Sequence, residues 1–276
     1  MLILGITMTV VIYSQSSVWI STIQNAIETA EIDAFRSIAI SRAAIVQSIL
    51  NGFHGDNILA STYAVELFRA DLPDELPLNV DIPLVDPPKP TVNQQAFYSA
   101  YFNVNITTTA QLNASTVTAT KSTVLDNVMR ALLINKASFQ TIYAGFADFG
   151  FRRYPYLFDD AKRTQTVCNV PYAPSELQNK QGFIPACRLW YQEAVTAAAP
   201  SVINNGLGPT KFSTFVSSVT KSVAATTSQA FFTSAGLLGV MAIETDMVDV
   251  NAALARSPVL NNGYTFMVDT NGTLIV

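Results

Sequence analysis

Between residues 14 and 49 the chain has neither proline nor glycine, and its apolar positions fall at helical intervals: Ile20, Ile23, Ile27, Ile32, Phe35, Ile38, Ile45 and Ile49. That spacing predicts one long amphipathic helix, its stripe interrupted once by Arg42. The pairs Asn51-Gly52 and Gly55-Asp56 carry turn chemistry and predict a break. A second helix is then expected over 56–69, capped by Asp56 or Asn57, with Ile58, Leu59, Tyr63, Leu67 and Phe68 on its apolar side. Six of the thirteen prolines lie within 72–91, so this segment is expected to run extended.

Further along, residues 97–120 are rich in Thr and Asn and suggest strands or a glycosylated loop. A helix is expected over 123–136. Residues 139–146 and 150–155 read as strand, turn, strand. A polar loop is expected over 159–182 and a short helix over 188–199. Three strands follow over 212–219, 223–231 and 238–244, then a short helix over 247–255. Residues 263–276 read as a strand, a tight turn and the start of another strand. The chain stops inside that last strand, which suggests a cut end. The order of elements predicts an α+β class, with helices beside an antiparallel sheet.

Composition narrows the function. The chain is 49% hydrophobic and only 13% charged, with a formal net charge of −4. Its first cation is Arg36, and there is no basic stripe, which excludes a nucleic-acid partner. The single histidine, His54, reads as a surface residue near a helix end. One histidine leaves no basis for a histidine-rich metal site and weakens any histidine-based triad. No glycine-rich phosphate loop, Cys/His cluster or Gly-x-Ser-x-Gly elbow occurs, so neither an enzyme nor a cofactor is expected.

Sequons stand at Asn105, Asn113 and Asn271, two of them in one polar stretch. Cys168 and Cys187 are expected to form a disulfide, two buried free thiols being the alternative. Together these features favour an extracellular setting. Residues 1–13 are almost wholly apolar, without a basic flank or a cleavage site. They read as the outer end of a transmembrane helix, with an uncleaved anchor or a buried helix start as alternatives.

The chemistry concentrates in Cys187-Arg188-Leu189-Trp190-Tyr191 and in Glu244, which ends an apolar strand. A guanidinium and a carboxylate brought together would hold the two charges of a small zwitterion such as an amino acid. Arg188 opens a helix, where the dipole disfavours a cation, so a specific partner is expected: a ligand, or a neighbour such as Glu193. Asp246, two residues beyond Glu244, would point to the same side and is a rival for the amine. Tyr143, Arg152, Arg153 and Tyr154 are further candidates for the same cavity, with at least one of the two arginines expected on a solvated face. Trp190 and Tyr191 can serve as core or as ligand contacts, Tyr191 more readily as core.

The ordered set Ile142-Tyr143-Ala144-Gly145, Gly150, Tyr154-Pro155, Cys187-Arg188-Leu189-Trp190-Tyr191-Gln192 and Gly239-Val240-Met241-Ala242-Ile243-Glu244 resembles the extracellular double Cache domain. Gly263 to Asp269 with Gly272 is similar to the opening hairpin of its second subdomain. The resemblance implies two PAS-like antiparallel-sheet subdomains carried on one long N-terminal helix. On that plan residues 1–13 end a transmembrane or anchor segment and 14–70 form the helical stalk. Residues 71–246 form the ligand-binding distal subdomain, and 247–276 begin a truncated membrane-proximal one. Such modules sit in chemoreceptors, sensor kinases and cyclases, and in accessory subunits of voltage-gated calcium channels.

For amino-acid-binding members, the resemblance assigns Arg188 and Trp190 to the ligand carboxylate and Glu244 to its amine. Phe183 and Phe215 fall where that family carries hydroxyl-bearing aromatics, so two hydrogen bonds of ~1 kcal/mol each would be missing. Glu244 is longer than the family's aspartate, and Leu189 replaces a proline. The expected partners are therefore a small ligand, the membrane and, through the long helix, a second copy of the chain. The alternative is an interaction module of a channel subunit with no essential ligand.

Overall fold

The computed structural model describes residues 2–69, 100–103, 118, 121–155, 168, 175, 183–198, 203–216, 223–255 and 267. A first helix, α1 (Leu2–Arg69), is followed by β1 (Ala100–Asn103), α2 (Leu125–Asn135), β2 (Phe139–Phe146) and β3 (Gly150–Tyr154). A 3-10 turn (Pro185–Cys187) leads into α3 (Leu189–Ala197). Then come β4 (Lys211–Val216), β5 (Val223–Thr233), β6 (Gly236–Asp246) and α4 (Val248–Ala255). The six strands form one sheet in the order β1-β3-β2-β6-β5-β4, with every neighbouring pair antiparallel. The α+β class expected from the pattern is the one observed.

The expected break at 51–56 does not occur, because α1 runs straight through Gly52 and Gly55. Each glycine costs about 1 kcal/mol against alanine inside a helix. The apolar stripe does not stop there, however. Phe53, Ala60, Ala64 and Leu67 are all buried, with Asn57 between them, and that packing outweighs two glycines. Asp56 caps nothing; its carboxylate pairs with Lys136 at 3.1 Å. His54 is exposed, as expected, but in mid-helix.

The chain divides into two compact units: residues 1–48 with 250–266, and 49–249 with 267–276. Within the first, Arg42 is buried and its guanidinium donates to the carbonyl of Leu254, in the last turn of α4. That explains the one cation in the α1 stripe: it satisfies a carbonyl that a helix end leaves orphaned. Among the described residues no helix is long and apolar enough to cross a membrane. The sequons, the 72–91 and 159–182 segments and the final hairpin lie outside the described residues, save for isolated positions.

The second unit is layered around the sheet. One face packs on α1 and α2 through Ile142, Ala144, Phe146, Met241 and Ile243, against Phe53, Val65, Leu125 and Met129. Arg152 is on this face too, fully buried. Its guanidinium donates to both carboxylate oxygens of Asp126 (3.2 and 3.3 Å) and to the Ser122 hydroxyl (2.7 Å). Neither arginine of the pair therefore stands on a solvated face, since Arg153 is half-buried on the other side. The opposite face packs on the 3-10 turn and α3, through Ala230 and Val240 against Ile184, Cys187, Tyr191 and Ala194.

Candidate functional site

Residues directly opposite each other in an antiparallel sheet share a face, so the register settles which side chains meet under α3. One row across the sheet reads Arg153, Tyr143, Ala242, Ser228, Lys211. The next reads Thr141, Glu244, Thr226, Ser213. That second row is polar from end to end, yet its members are at most 8% exposed. Buried polar groups cost free energy unless partnered, so an unbroken row of them in a sheet interior is a candidate site.

A bulge makes this row possible. Phe139 pairs with Thr245 and Thr141 with Glu244, leaving Gln140 as the extra residue. The bulge sends Phe139 to the α1 face, where it meets Phe53, and turns Thr141 to the α3 face. There the Thr141 hydroxyl donates to the Tyr154 carbonyl (3.1 Å) and accepts from Arg153 Nε (3.0 Å). Tyr143 and Thr226 share a hydroxyl–hydroxyl hydrogen bond of 3.3 Å.

Glu244 is the charge these groups surround. Burial first, and the Glu244 carboxylate second, push the Tyr143 phenol well above its ordinary range, against the Thr226 bond and Arg153. Burial lowers the Arg153 guanidinium, while Glu244 and Tyr143 pull it back up. Arg153 is thus a cation electrostatically coupled to Glu244, with β2 lying between their two strands.

Above the rows lies an aromatic layer. Trp190, in the first turn of α3, meets Tyr143 edge-on with ring centroids 5.0 Å apart. Phe151 lies 5.6 Å from Tyr143 and 4.4 Å from Phe183. Gly145 lets α3 come this close. A Cβ there would stand 2.5 Å from Pro185 Cβ and 2.9 Å from the tip of Trp190. Cys187 and Cys168 form a buried disulfide, with Cα atoms 5.7 Å apart, immediately before α3 begins.

Arg188 is the N-cap residue of α3, with its guanidinium 4.4 Å above the Phe183 ring. A cation–π contact of this kind explains how it tolerates the positive end of the helix. Glu193 engages the Ser213 hydroxyl. Tyr191 is core: it is 4% exposed and packs with Cys187 and Ala194. Phe215 is half-buried on the same face, opposite Ala224.

One candidate falls elsewhere: Tyr154 pairs with Ile142 and is buried in the α1 face of the sheet. Asp246 continues the Phe215–Ala224 row on the face of Glu244, and its carboxylate accepts from the Val248 amide (3.2 Å) at the start of α4. Thr141, Thr226 and Ser213 joined the row without being singled out in the sequence, since isolated hydroxyls carry no signal until the register aligns them. An open cleft of about 430 Å³ flanks α3 on the outside, lined by Leu189, Gln192, Glu193, Lys211 and Phe212 among others. Among the described residues no group of His, Cys, Asp or Glu is gathered to hold a metal ion.

No protein-family model matches the chain, and no curated protein does. Solved structures similar to it include the ligand-binding domain of the Pseudomonas aeruginosa amino-acid chemoreceptor PctC in complex with GABA. That pair is 17% identical, with a TM-score of 0.48, covering 87% of this chain and 73% of the other. The ligand-binding domain of Campylobacter jejuni Tlp3 with 4-methylisoleucine is 11% identical, with a TM-score of 0.47, covering 86% and 65%. That of Pseudomonas fluorescens CtaA with L-alanine is 17% identical, with a TM-score of 0.37, covering 56% and 53%.

Proposed function

We propose that this chain is the extracellular ligand-sensing region of a transmembrane receptor. It binds a small molecule such as an amino acid or amine on the sheet face beneath α3, and signals through the membrane along α1. The observation that carries the reading is the buried polar row Thr141–Glu244–Thr226–Ser213 under an aromatic layer, with Arg188 at the start of the covering helix. A buried carboxylate among hydroxyls suits an amine, and a half-buried guanidinium and indole suit a carboxylate.

In this proposal the ligand bridges the sheet and α3. It moves the receptor's equilibrium only by the difference in its affinity for the two states. Membrane anchorage and pairing of two copies through α1 belong to the same proposal.

The test is isothermal titration and thermal melting of the chain against the protein amino acids and simple amines. At least one is expected to bind and raise the melting temperature, and Arg188→Ala is expected to weaken it at least tenfold. A wild-type chain that binds none of them, or an Arg188→Ala variant that binds as wild type does, removes the proposal.

A further inference from the structure

Resting on that reading of the site, we propose that the cleft outside α3 is the entrance to the polar row, and that the Glu193 side chain is the gate between them. The row Thr141–Glu244–Thr226–Ser213 is at most 8% exposed, so a molecule from solvent needs an opening to reach it. At its Thr141 end, the Thr141 hydroxyl is bonded to both Arg153 and the Tyr154 carbonyl. Above it, Trp190, Tyr143, Phe151 and Phe183 pack ring against ring. The Ser213 end lies on β4, the outermost strand. There the cover comes from α3, where the Glu193 carboxylate accepts from the Ser213 hydroxyl. Glu193 is also a wall of the cleft of about 430 Å³, so its side chain has the row on one side and open space on the other.

The helix itself is held at both ends. Its start follows the Cys168–Cys187 disulfide, and Trp190 packs edge-on against Tyr143. Its far end rests on Gly208, where a Cβ would stand 2.6 Å from the Ala198 Cβ. Opening the row by moving α3 would disturb all of these contacts. Turning one side chain to another rotamer breaks a hydrogen bond and moves no backbone. The cleft gives that side chain room, and it also supplies a second partner. Lys211 lines the same cleft, two residues before Ser213 on the same face of β4. Glu193 therefore has two resting places. On the Ser213 hydroxyl it shuts the row; beside the Lys211 ammonium it leaves Ser213 open to an entering molecule. A carboxylate that trades a hydroxyl for an ammonium is partnered in both positions.

The test places a thiol in the row. Thr226→Cys puts it between Glu244 and Ser213, and the two native cysteines are joined in a disulfide, so it is the one free thiol. Its reaction with methyl methanethiosulfonate, a small neutral reagent, is followed by intact mass. Adding Glu193→Ala is expected to speed the reaction at least tenfold. Adding Thr196→Trp instead, at an exposed position lining the cleft, is expected to slow it at least threefold. Thr227→Cys, buried on the opposite face, is the control, and Glu193→Ala is expected to leave its rate unchanged. For the amino acid that binds wild type most tightly in the titration above, Glu193→Ala is expected to raise the association and dissociation rates together, with affinity kept within a few-fold.

An unchanged Thr226→Cys rate on adding Glu193→Ala overturns the gate. So does equal acceleration at the two introduced thiols, which marks general loosening. An unchanged rate on adding Thr196→Trp overturns the cleft as the entrance. Each of these leaves the binding face standing, because labelling needs no ligand. Failure of every amino acid and amine to bind wild type overturns the binding face, and the entrance with it.

Discussion

Single side chains in this protein are placed by contacts too tight to exchange. Gly145 is the sharpest case, because a methyl there meets the rigid Pro185 ring and the Trp190 indole at once. Gly145→Ala is expected to cost about 1–3 kcal/mol, as overpacking does, and to lift Trp190 from Tyr143. Chemical denaturation and tryptophan fluorescence check both effects. Asp126→Ala leaves the Arg152 guanidinium buried without its carboxylate, an expected loss of about 3 kcal/mol. Arg152→Met is expected to cost less, since Asp126 is 23% exposed and water can take over its charge.

The titrations of Tyr143 and Tyr191 are also residue-scale properties. Burial raises both phenols above their ordinary value. A phenol raised in the folded state binds its proton more tightly there than in the unfolded chain, so stability falls as pH rises above the ordinary value of 10.0. Absorbance of the folded protein is expected to show these two tyrosines ionising only as the chain unfolds in alkali. Tyr143→Phe is expected to remove part of that alkaline loss.

Elements, by contrast, show how packing overrides local preference. Helix α1 tolerates Gly52 and Gly55 because the residues between and after them bury a continuous stripe. A Cβ at Gly55 would meet nothing within 4 Å. Gly55→Ala is therefore expected to stabilise the chain by about 1 kcal/mol, read as a raised denaturation midpoint at unchanged slope. At α3 the constraint is covalent. The Cys168–Cys187 disulfide spans a sequence separation of 19 and fixes the residue before the helix cap. Its reduction is expected to cost about 2–4 kcal/mol. It is also expected to loosen the aromatic layer, which near-ultraviolet circular dichroism would register.

At the scale of the whole molecule, the long helix keeps large apolar side chains in solvent. Trp19, Ile20, Ile23, Ile27, Phe35 and Ile45 are each more than two-fifths exposed. Under the proposed pairing of two copies, sedimentation velocity is expected to show concentration-dependent association. Replacing Ile20, Ile23 and Ile27 by serine is expected to abolish it. A strictly monomeric wild-type chain at high concentration removes that part of the proposal. The proposed ligand binding belongs to this scale too, because the face beneath α3 draws on β2, β3, β4, β5, β6 and the start of α3, and no one element carries it.

Much of this was legible in the order of residues. Apolar runs bounded by turn residues gave the strands over 139–146, 223–231 and 238–244, and the turn ahead of Gly150 gave a hairpin. The stretch from Cys187 to Tyr191 gave a helix start rich in recognition chemistry. These are local properties, set by backbone period and turn stereochemistry, and a linear chain displays them. Alternation alone even required Arg152 and Arg153 to face opposite ways.

Only the assembled sheet decided which of the two turned toward Glu244. That outcome depends on register across β3, β2 and β6 and on a one-residue bulge at Gln140. It depends as well on which face α1 covers and which α3 covers. The β2–β6 register joins residues as distant along the chain as Thr141 and Glu244, and the energy of register and layer order is collective. A chain read in sequence records each partner but not the pairing.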